Sequence, residues 1–197
     1  MTKPRRTSVG KRAGTNARRT SAVAGATMTS PRRAPAGGEY RVLVQKDYLK
    51  FSAAHFIAYK GFREPLHGHN YQVSVAISGV VGPDGYVLDF GVVKELTKAV
   101  CAELDERVLV PVESDCLRIT RDATTVTLTY EDGARFAFPA TDTVLLPIVH
   151  ASAEELASYV LHRLRDGLAA HAVRGLTDIE VGVSEAPGQA AYCRERF

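Results

Sequence analysis

The chain has 197 residues and a formal net charge of +3, from 25 Lys and Arg against 22 Asp and Glu. The charge is uneven, because residues 1–38 hold nine basic side chains and no acid, which leaves residues 39–197 with a net charge of −6. A body of 159 residues suits a single domain with a proper core. No stretch approaches the roughly 18 apolar residues of a membrane span, so the composition excludes an integral membrane protein.

The basic segment 1–38 is rich in Arg, Ser, Thr, Gly, Ala and Pro and has almost no large apolar side chains. It cannot bury enough surface to offset chain entropy, so we predict a disordered tail. It lacks the apolar core of a secretory signal peptide, and three interpretations stay open: an organelle transit peptide, a nucleic-acid-binding arm, or a solvated extension. We expect no nucleic-acid binding apart from this tail.

The three cysteines, Cys101, Cys116 and Cys193, are far apart and form no C-x-x-C pair. They indicate neither a disulfide framework nor a zinc ribbon. Together with the missing signal peptide, they predict a reducing, cytoplasmic compartment.

The first predicted strand covers residues 41–56 and places Leu49, Phe51, Ala53 and His55 on one face by period-two alternation. Its last residues lead into a loop that contains Gly and Pro. The same alternation then resumes in a second strand.

That second strand starts at His67, and a short strand is predicted over Tyr86–Phe90 after a turn. A helix follows, because apolar residues recur at helical spacing from Phe90 to Leu104. Asp89 stands where the N-cap of this helix belongs.

Residues 111–147 are predicted to be an insertion that contains a β-hairpin, with its turn at residues 131–134. A second helix opens at Ser152, where Glu155 completes a capping box. The last alternating segment runs to Glu185 and belongs to a final pair of strands. These elements predict an α+β fold with a four-stranded antiparallel sheet and two helices on one face.

Three of the six histidines lie within fifteen residues. His67 and His69 point the same way from a strand, and His55 ends the preceding strand on the corresponding face. Three imidazoles suit Zn²⁺ and leave a fourth position open, as in catalytic zinc sites. The alternative is that these are ordinary surface or core histidines.

A second candidate is Glu185, which alternation places on the apolar face shared with Val181 and Val183. A buried carboxylate without a partner is costly, so it needs a cationic or multiply donating group. That group is either a ligand or an internal Arg or Lys, unless the strand end simply reaches solvent.

Five motifs occur in this order along the chain: Phe51-Ser-Ala-Ala-His55, Leu66-His-Gly-His-Asn-Tyr71, Val87-Leu-Asp-Phe90, Leu104-Asp105 and Val183-Ser-Glu185. Their order and spacing resemble the 6-pyruvoyltetrahydropterin synthase family, which includes the bacterial 6-carboxytetrahydropterin synthases. The resemblance covers residues 40–193 apart from the 111–147 insertion. It implies a tunnelling fold, in which subunits join their sheets into a barrel as homo-oligomers, trimers paired into hexamers.

The resemblance also implies a site. The three histidines would bind Zn²⁺, and the substrate would be 7,8-dihydroneopterin triphosphate. Glu185 matches the family glutamate that anchors the pterin through two hydrogen bonds. Ser152 and Glu154 match a region that borders the pterin pocket, and the sites would form between subunits.

One departure from the family pattern concerns the base. Family enzymes carry a cysteine shortly before the H-G-H motif, whereas residues 56–66 contain none and Glu64 stands three residues before His67. This arrangement resembles a subgroup in which glutamate replaces the cysteine and the side chain is cleaved to give 6-hydroxymethyl-7,8-dihydropterin. Glu64 would then act as the base; the alternative is a surface loop carboxylate.

A second departure concerns the proton relay. The family's Leu-Asp-His is replaced by Leu104-Asp105-Glu106, so the relay histidine is missing. Asp105 remains a candidate catalytic residue, although a helix-end role fits it equally. His150 lies just before the second helix and is a hypothetical replacement acid or base; otherwise it is an ordinary loop histidine.

The sequence therefore predicts a zinc-dependent lyase that acts on the side chain of 7,8-dihydroneopterin triphosphate. The product stays open between 6-hydroxymethyl-dihydropterin and the pyruvoyl- or carboxy-tetrahydropterins of the wider family. The alternative function is a non-catalytic pterin-binding protein that has lost the cysteine and histidine of the relay.

Overall fold

A computed structural model describes residues 38–197, so the predicted tail, apart from its last residue Gly38, lies outside the described residues. The strands are β1 (Glu39–His55), β2 (Ala58–Tyr59), β3 (Phe62–Arg63), β4 (His67–Val80), β5 (Arg107–Pro111), β6 (Leu117–Arg121), β7 (Thr125–Tyr130), β8 (Arg135–Pro139), β9 (Thr143–Leu146), β10 (Leu176–Ala186) and β11 (Gln189–Arg196). The helices are α1 (Phe90–Leu104) and α2 (Ala153–Ala170), with a 3₁₀ turn at Ala140–Asp142.

The main sheet has six strands in the order β11-β10-β4-β1-β5-β9. The first four are antiparallel neighbours, whereas β5 and β9 join in parallel. Both helices cross the same sheet and contact each other. The predicted α+β fold is confirmed, but the sheet has two strands more than expected.

The helices begin where the sequence indicates. The Asp89 side chain accepts a hydrogen bond from the Gly91 backbone N–H at 2.6 Å and caps α1. Ser152 caps α2 by accepting from the Glu155 N–H at 3.4 Å. The apolar stripe of each helix packs on the β1, β4 and β10 side chains that form the main core.

The short strand predicted over Tyr86–Phe90 is wrong. Residues 83–88 form turns and bends, and Gly82 closes this segment by donating to the Tyr86 carbonyl at 3.0 Å. Val87 and Leu88 are buried in the main core and pair with no strand of the described residues. The apolar side chains therefore reflect packing under a loop rather than pairing in a sheet.

The predicted insertion differs in its bounds and content. Strand β9 of this segment belongs to the main sheet, and β6, β7 and β8 form a separate three-stranded antiparallel sheet, called the inserted sheet below. The expected hairpin is its β7–β8 pair. The inserted sheet has its own core, which includes Val126, Leu128 and Tyr130 together with Phe56. No helix among the described residues is long and apolar enough to cross a membrane.

Candidate metal and substrate site

The three histidines come together because of the register between β1 and β4. His55 lies opposite His67, and Ala53 lies opposite His69, so all three imidazoles point to the face that carries the helices. The ring centroids lie 4.5 Å apart for His55 and His67 and 5.0 Å apart for His67 and His69. One nitrogen from each ring lies within 4.8 Å of the others.

Backbone carbonyls orient two of these rings. His55 Nδ1 lies 2.6 Å from the Ala151 oxygen, and His67 Nδ1 lies 2.9 Å from the Pro65 oxygen. When each Nδ1–H donates to its carbonyl, the Nε2 lone pair is free to bind a metal. His55 Nε2 is buried and has no hydrogen-bond partner among the described residues.

The environment favours neutral imidazole at His55. The side chain is 2% exposed, and burial lowers the pKa of His55 despite its contact with the Ala151 carbonyl. A neutral imidazole is the form that binds metals. His67 is exposed and His69 half-buried, so the cluster opens to solvent on one side. The donor set fits zinc with one position left for another ligand.

Glu185 lies beside the histidines, on the face that alternation indicated. Ser184 pairs with Gln72, which brings the next residue, Glu185, next to Tyr71 on β4. Burial is the main influence on the pKa of His55 and lowers it, whereas the negative charge of the half-buried Glu185 acts to raise it. Burial, together with the negative charges of Glu185 and Glu64, raises the pKa of Tyr71.

Glu64 is held in place by reciprocal hydrogen bonds. Its backbone N–H donates to the Ile57 carbonyl at 2.9 Å, and its Oε2 accepts from the Ile57 N–H at 2.9 Å. The carboxylate is half-buried, and its negative charge contributes to the raised pKa of Tyr71. The centroid of the Tyr71 ring lies 5.6 Å from that of His69. Both candidate carboxylates therefore act on one tyrosine that borders the histidine cluster.

The next three predicted site residues lie at the ends of the two helices. The Asp105 carboxylate accepts from the Ser52 backbone N–H at 2.7 Å and ties the end of α1 to β1, three residues before His55. Ser152 is engaged as the α2 cap, and Glu154 is exposed in the first turn.

His150 lies next to the residue that orients His55. Its backbone N–H donates to Glu155 at 3.1 Å, and it directly precedes Ala151. Its Nδ1 is buried and lacks a hydrogen-bond partner within the described part of the chain. The Glu155 carboxylate also accepts from the Val149 N–H at 2.7 Å, instead of completing the expected capping box at Ser152.

Two parts of this arrangement were given no role from the sequence. Alternation does place Tyr71 on the face of His67 and His69, but no function was assigned to it. The Ala151 carbonyl is a backbone atom in a segment 96 residues from His55, and no side-chain pattern points to it.

The fold and this site have a counterpart in one family. A profile of the 6-pyruvoyl tetrahydropterin synthase family matches residues 44–196. The chain therefore belongs to that family, whose enzymes act in pterin metabolism.

Individual relatives agree with this membership. A provisionally named 6-carboxy-5,6,7,8-tetrahydropterin synthase of Methanocaldococcus jannaschii is 32% identical over 148 residues, 75% of this chain and 90% of the relative. The solved 6-pyruvoyl tetrahydropterin synthase of Plasmodium vivax is 40% identical, with a TM-score of 0.78 over 82% of this chain and 100% of that one. A variant of that enzyme, also solved, replaces a glutamate described as its catalytic residue.

A further relative is described by a different reaction. A dihydroneopterin monophosphate aldolase of Pyrococcus furiosus is 39% identical over 57 residues, 29% of this chain and 48% of the relative.

Proposed function

We propose that this chain is a zinc-dependent lyase that acts on the side chain of 7,8-dihydroneopterin triphosphate. The observation that carries the proposal is the convergence of His55, His67 and His69 with two carboxylates around Tyr71. Family membership supports the pterin substrate. Bound zinc would polarise the oxygens of the substrate side chain and make nearby protons more acidic.

Glu64 is proposed as the base. One carboxylate oxygen is held by the Ile57 N–H, which leaves Oε1 for a proton. Glu64 accepts the proton of a side-chain hydroxyl, the adjacent carbon–carbon bond breaks to leave an aldehyde on the departing fragment, and the proton returns to the carbon attached to the pterin. The product is then 6-hydroxymethyl-7,8-dihydropterin. The catalytic glutamate named for the Plasmodium vivax enzyme and the aldolase relative support this assignment.

Glu185 is proposed to anchor the pterin. A carboxylate on a largely apolar face can accept two hydrogen bonds from the amino-pyrimidine edge, which gives the half-buried charge its donors. Ser152 and Glu154 are proposed to border the pterin pocket, while Asp105 and His150 are candidates for the relay that returns the proton. The buried Nδ1 of His150, which has no hydrogen-bond partner within residues 38–197, supports that candidate.

We further propose a homo-oligomer, a trimer or hexamer, with sites between subunits. Within residues 38–197 the main sheet ends in β11 on one side and the short β9 on the other, each with one side unpaired. Unpaired edges are templates for pairing with another chain. All three cysteines are free thiols, which supports a cytoplasmic location.

The metal assignment is tested by zinc analysis and turnover of the wild type and His67→Ala. We expect zinc in the wild type, with turnover of the triphosphate, and loss of both in His67→Ala because two imidazoles hold zinc too weakly. A metal-free wild type with full activity would contradict the proposal. A zinc-loaded wild type that binds the triphosphate without converting it would favour the pterin-binding alternative.

A further inference from the structure

The segment between the metal ligands, residues 56–66, is called the histidine connection here. It contains the short β2–β3 hairpin, which pairs Ala58 with Arg63 and Tyr59 with Phe62 around a turn. Gly61 has φ +83° at that turn, a conformation that favours glycine. A hairpin of two residues per strand is not stable alone, so it needs support from its surroundings.

The inserted sheet supplies aromatic support to this connection. The Phe56 and Phe136 rings stack with centroids 4.8 Å apart and planes 29° apart. The Arg63 guanidinium lies 5.2 Å from the centroid of the Phe136 ring. Arg63 Nη1 also donates to the Glu64 carbonyl at 2.9 Å. Phe136 therefore contacts the residues that directly precede Ile57 and Glu64, the two residues joined by reciprocal hydrogen bonds.

Polar contacts reinforce the same junction. The Tyr130 hydroxyl lies 2.9 Å from the Tyr59 carbonyl oxygen, and Glu131 Oε1 accepts from the Gly61 N–H at 2.7 Å. Phe56 is 4% exposed and shares its core with Tyr130. The connection is thus attached to the inserted sheet at its start and at its tip.

We propose that Phe136 is a positioning residue for Glu64. The inserted sheet holds the histidine connection so that the Glu64 carboxylate keeps its place near Tyr71, which borders the three histidines. Phe136 is the side chain of that sheet that contacts both Phe56 and Arg63, the residues before Ile57 and Glu64. This inference rests on the proposed function, because it takes Glu64 as the base. A misplacement of about 1 Å can cost a catalytic group up to about 10²-fold in rate.

Phe138 provides a matched control. It lies two residues further along β8, its ring stacks on Phe136 at 6.3 Å, and it packs against the same core. Within residues 38–197, no stacking or cation–π contact joins Phe138 to the histidine connection. Phe136→Leu and Phe138→Leu therefore remove similar apolar area, but only the former removes the contacts with Phe56 and Arg63.

The first test measures kcat and KM of zinc-loaded protein with 7,8-dihydroneopterin triphosphate. We expect Phe136→Leu to lower kcat about tenfold with KM changed less than about twofold, and Phe138→Leu to stay near the wild type. In a Glu64→Ala background, Phe136→Leu should cost nothing further. Equal effects of the two leucine variants, or an undiminished Phe136→Leu loss in the Glu64→Ala background, would overturn the proposal.

The second test follows hydrogen exchange of the Ile57 and Glu64 amides and does not depend on turnover. Faster exchange in Phe136→Leu than in Phe138→Leu supports the inference, whereas equal exchange overturns it. Full turnover by Glu64→Ala would instead show that the assignment of the base is wrong. If Phe136→Leu does not fold, Tyr130→Phe removes only a hydroxyl from the junction and should change kcat and exchange in the same directions.

Discussion

Glu64 combines two features that a catalytic base needs, a fixed position and a free oxygen. The Ile57 N–H holds Oε2 at 2.9 Å, and the half-buried side chain lies close enough to Tyr71 for its charge to raise the pKa of that phenol. A surface loop carboxylate, the alternative from the sequence, would have free oxygens but no such fixed, half-buried position.

Replacing this carboxylate should separate chemistry from metal binding. We expect Glu64→Gln to lower kcat by about 10²- to 10⁴-fold, because the amide cannot accept the proton. Zinc content should stay at the wild-type value, because Glu64 is not among the clustered ligands. Steady-state kinetics and metal analysis check both, with Glu113→Gln on an exposed carboxylate as the control. Unchanged kcat in Glu64→Gln would eliminate the proposed base.

The histidine cluster was predictable from alternation, whereas its orientation was not. His67 and His69 share a face on any regular strand, and His55 joins them because the β1–β4 register places it opposite His67. The Ala151 carbonyl that orients His55 comes from a turn before α2. Such a contact depends on packing across the whole core, so local sequence patterns do not predict it.

At the level of elements, the start of α2 supports the histidine cluster. The Glu155 carboxylate accepts the N–H groups of Val149 and His150 at 2.7 and 3.1 Å, and the next residue presents its carbonyl to His55. A glutamate in the first turn of α2 therefore fixes the segment that orients a candidate ligand.

Glu155→Gln should weaken this support. The amide presents one acceptor where the carboxylate offers two, so one of the two backbone N–H groups loses its partner. We expect zinc affinity to fall roughly 10- to 100-fold, as for other residues that orient metal ligands. Competition with a chromophoric chelator measures the affinity, and Asp166→Asn on the exposed side of the same helix is the control. Equal zinc affinity in both variants would contradict this role.

The two helices are joined by an ion pair whose contribution depends on pH. Arg163 donates to both oxygens of Glu103 at 2.7 Å, and that hydrogen bonding lowers the pKa of Glu103. The stabilisation is therefore complete above the pKa of the unfolded carboxyl, about 4.3, and is lost as the pH falls through the lower folded value.

Glu103→Gln should show this dependence. Because both side chains are partly exposed, we expect it to lower the free energy of unfolding by only about 0.5–1 kcal/mol at pH 7. The difference from the wild type should shrink as the pH is lowered below about 4. Urea unfolding over a pH series measures it, and a difference independent of pH would contradict the ion-pair account.

Strand and helix prediction succeeded where periodicity was long and failed where runs were short. The α1 pattern begins at Phe90 in the structure as in the sequence. The segment before it, Tyr86–Phe90, has strand-like composition, but its buried Val87 and Leu88 pair with no strand in the part of the chain that the structure describes. Strands β5 and β9 were absent from the predicted sheet, because parallel partners are distant in sequence and their pairing leaves no local signal.

For the whole molecule, the net charge of +3 combines a basic segment at 1–38 with a described body of opposite sign. A body with a net charge of −6 over residues 39–197 must nevertheless bind a triphosphate under the proposed function. The bound metal ion and local basic groups must then outweigh the average charge. Sites shared between subunits would bring such groups from a second copy.

The central claim is most directly tested by the product. Zinc-loaded full-length protein is incubated with 7,8-dihydroneopterin triphosphate, and the pterins are identified by mass spectrometry. The account predicts 6-hydroxymethyl-7,8-dihydropterin, because the proposed base is Glu64 in place of the family cysteine and the proposed step is carbon–carbon cleavage. A pyruvoyl- or carboxy-tetrahydropterin would contradict the assigned reaction, and recovery of unchanged triphosphate would contradict catalysis itself.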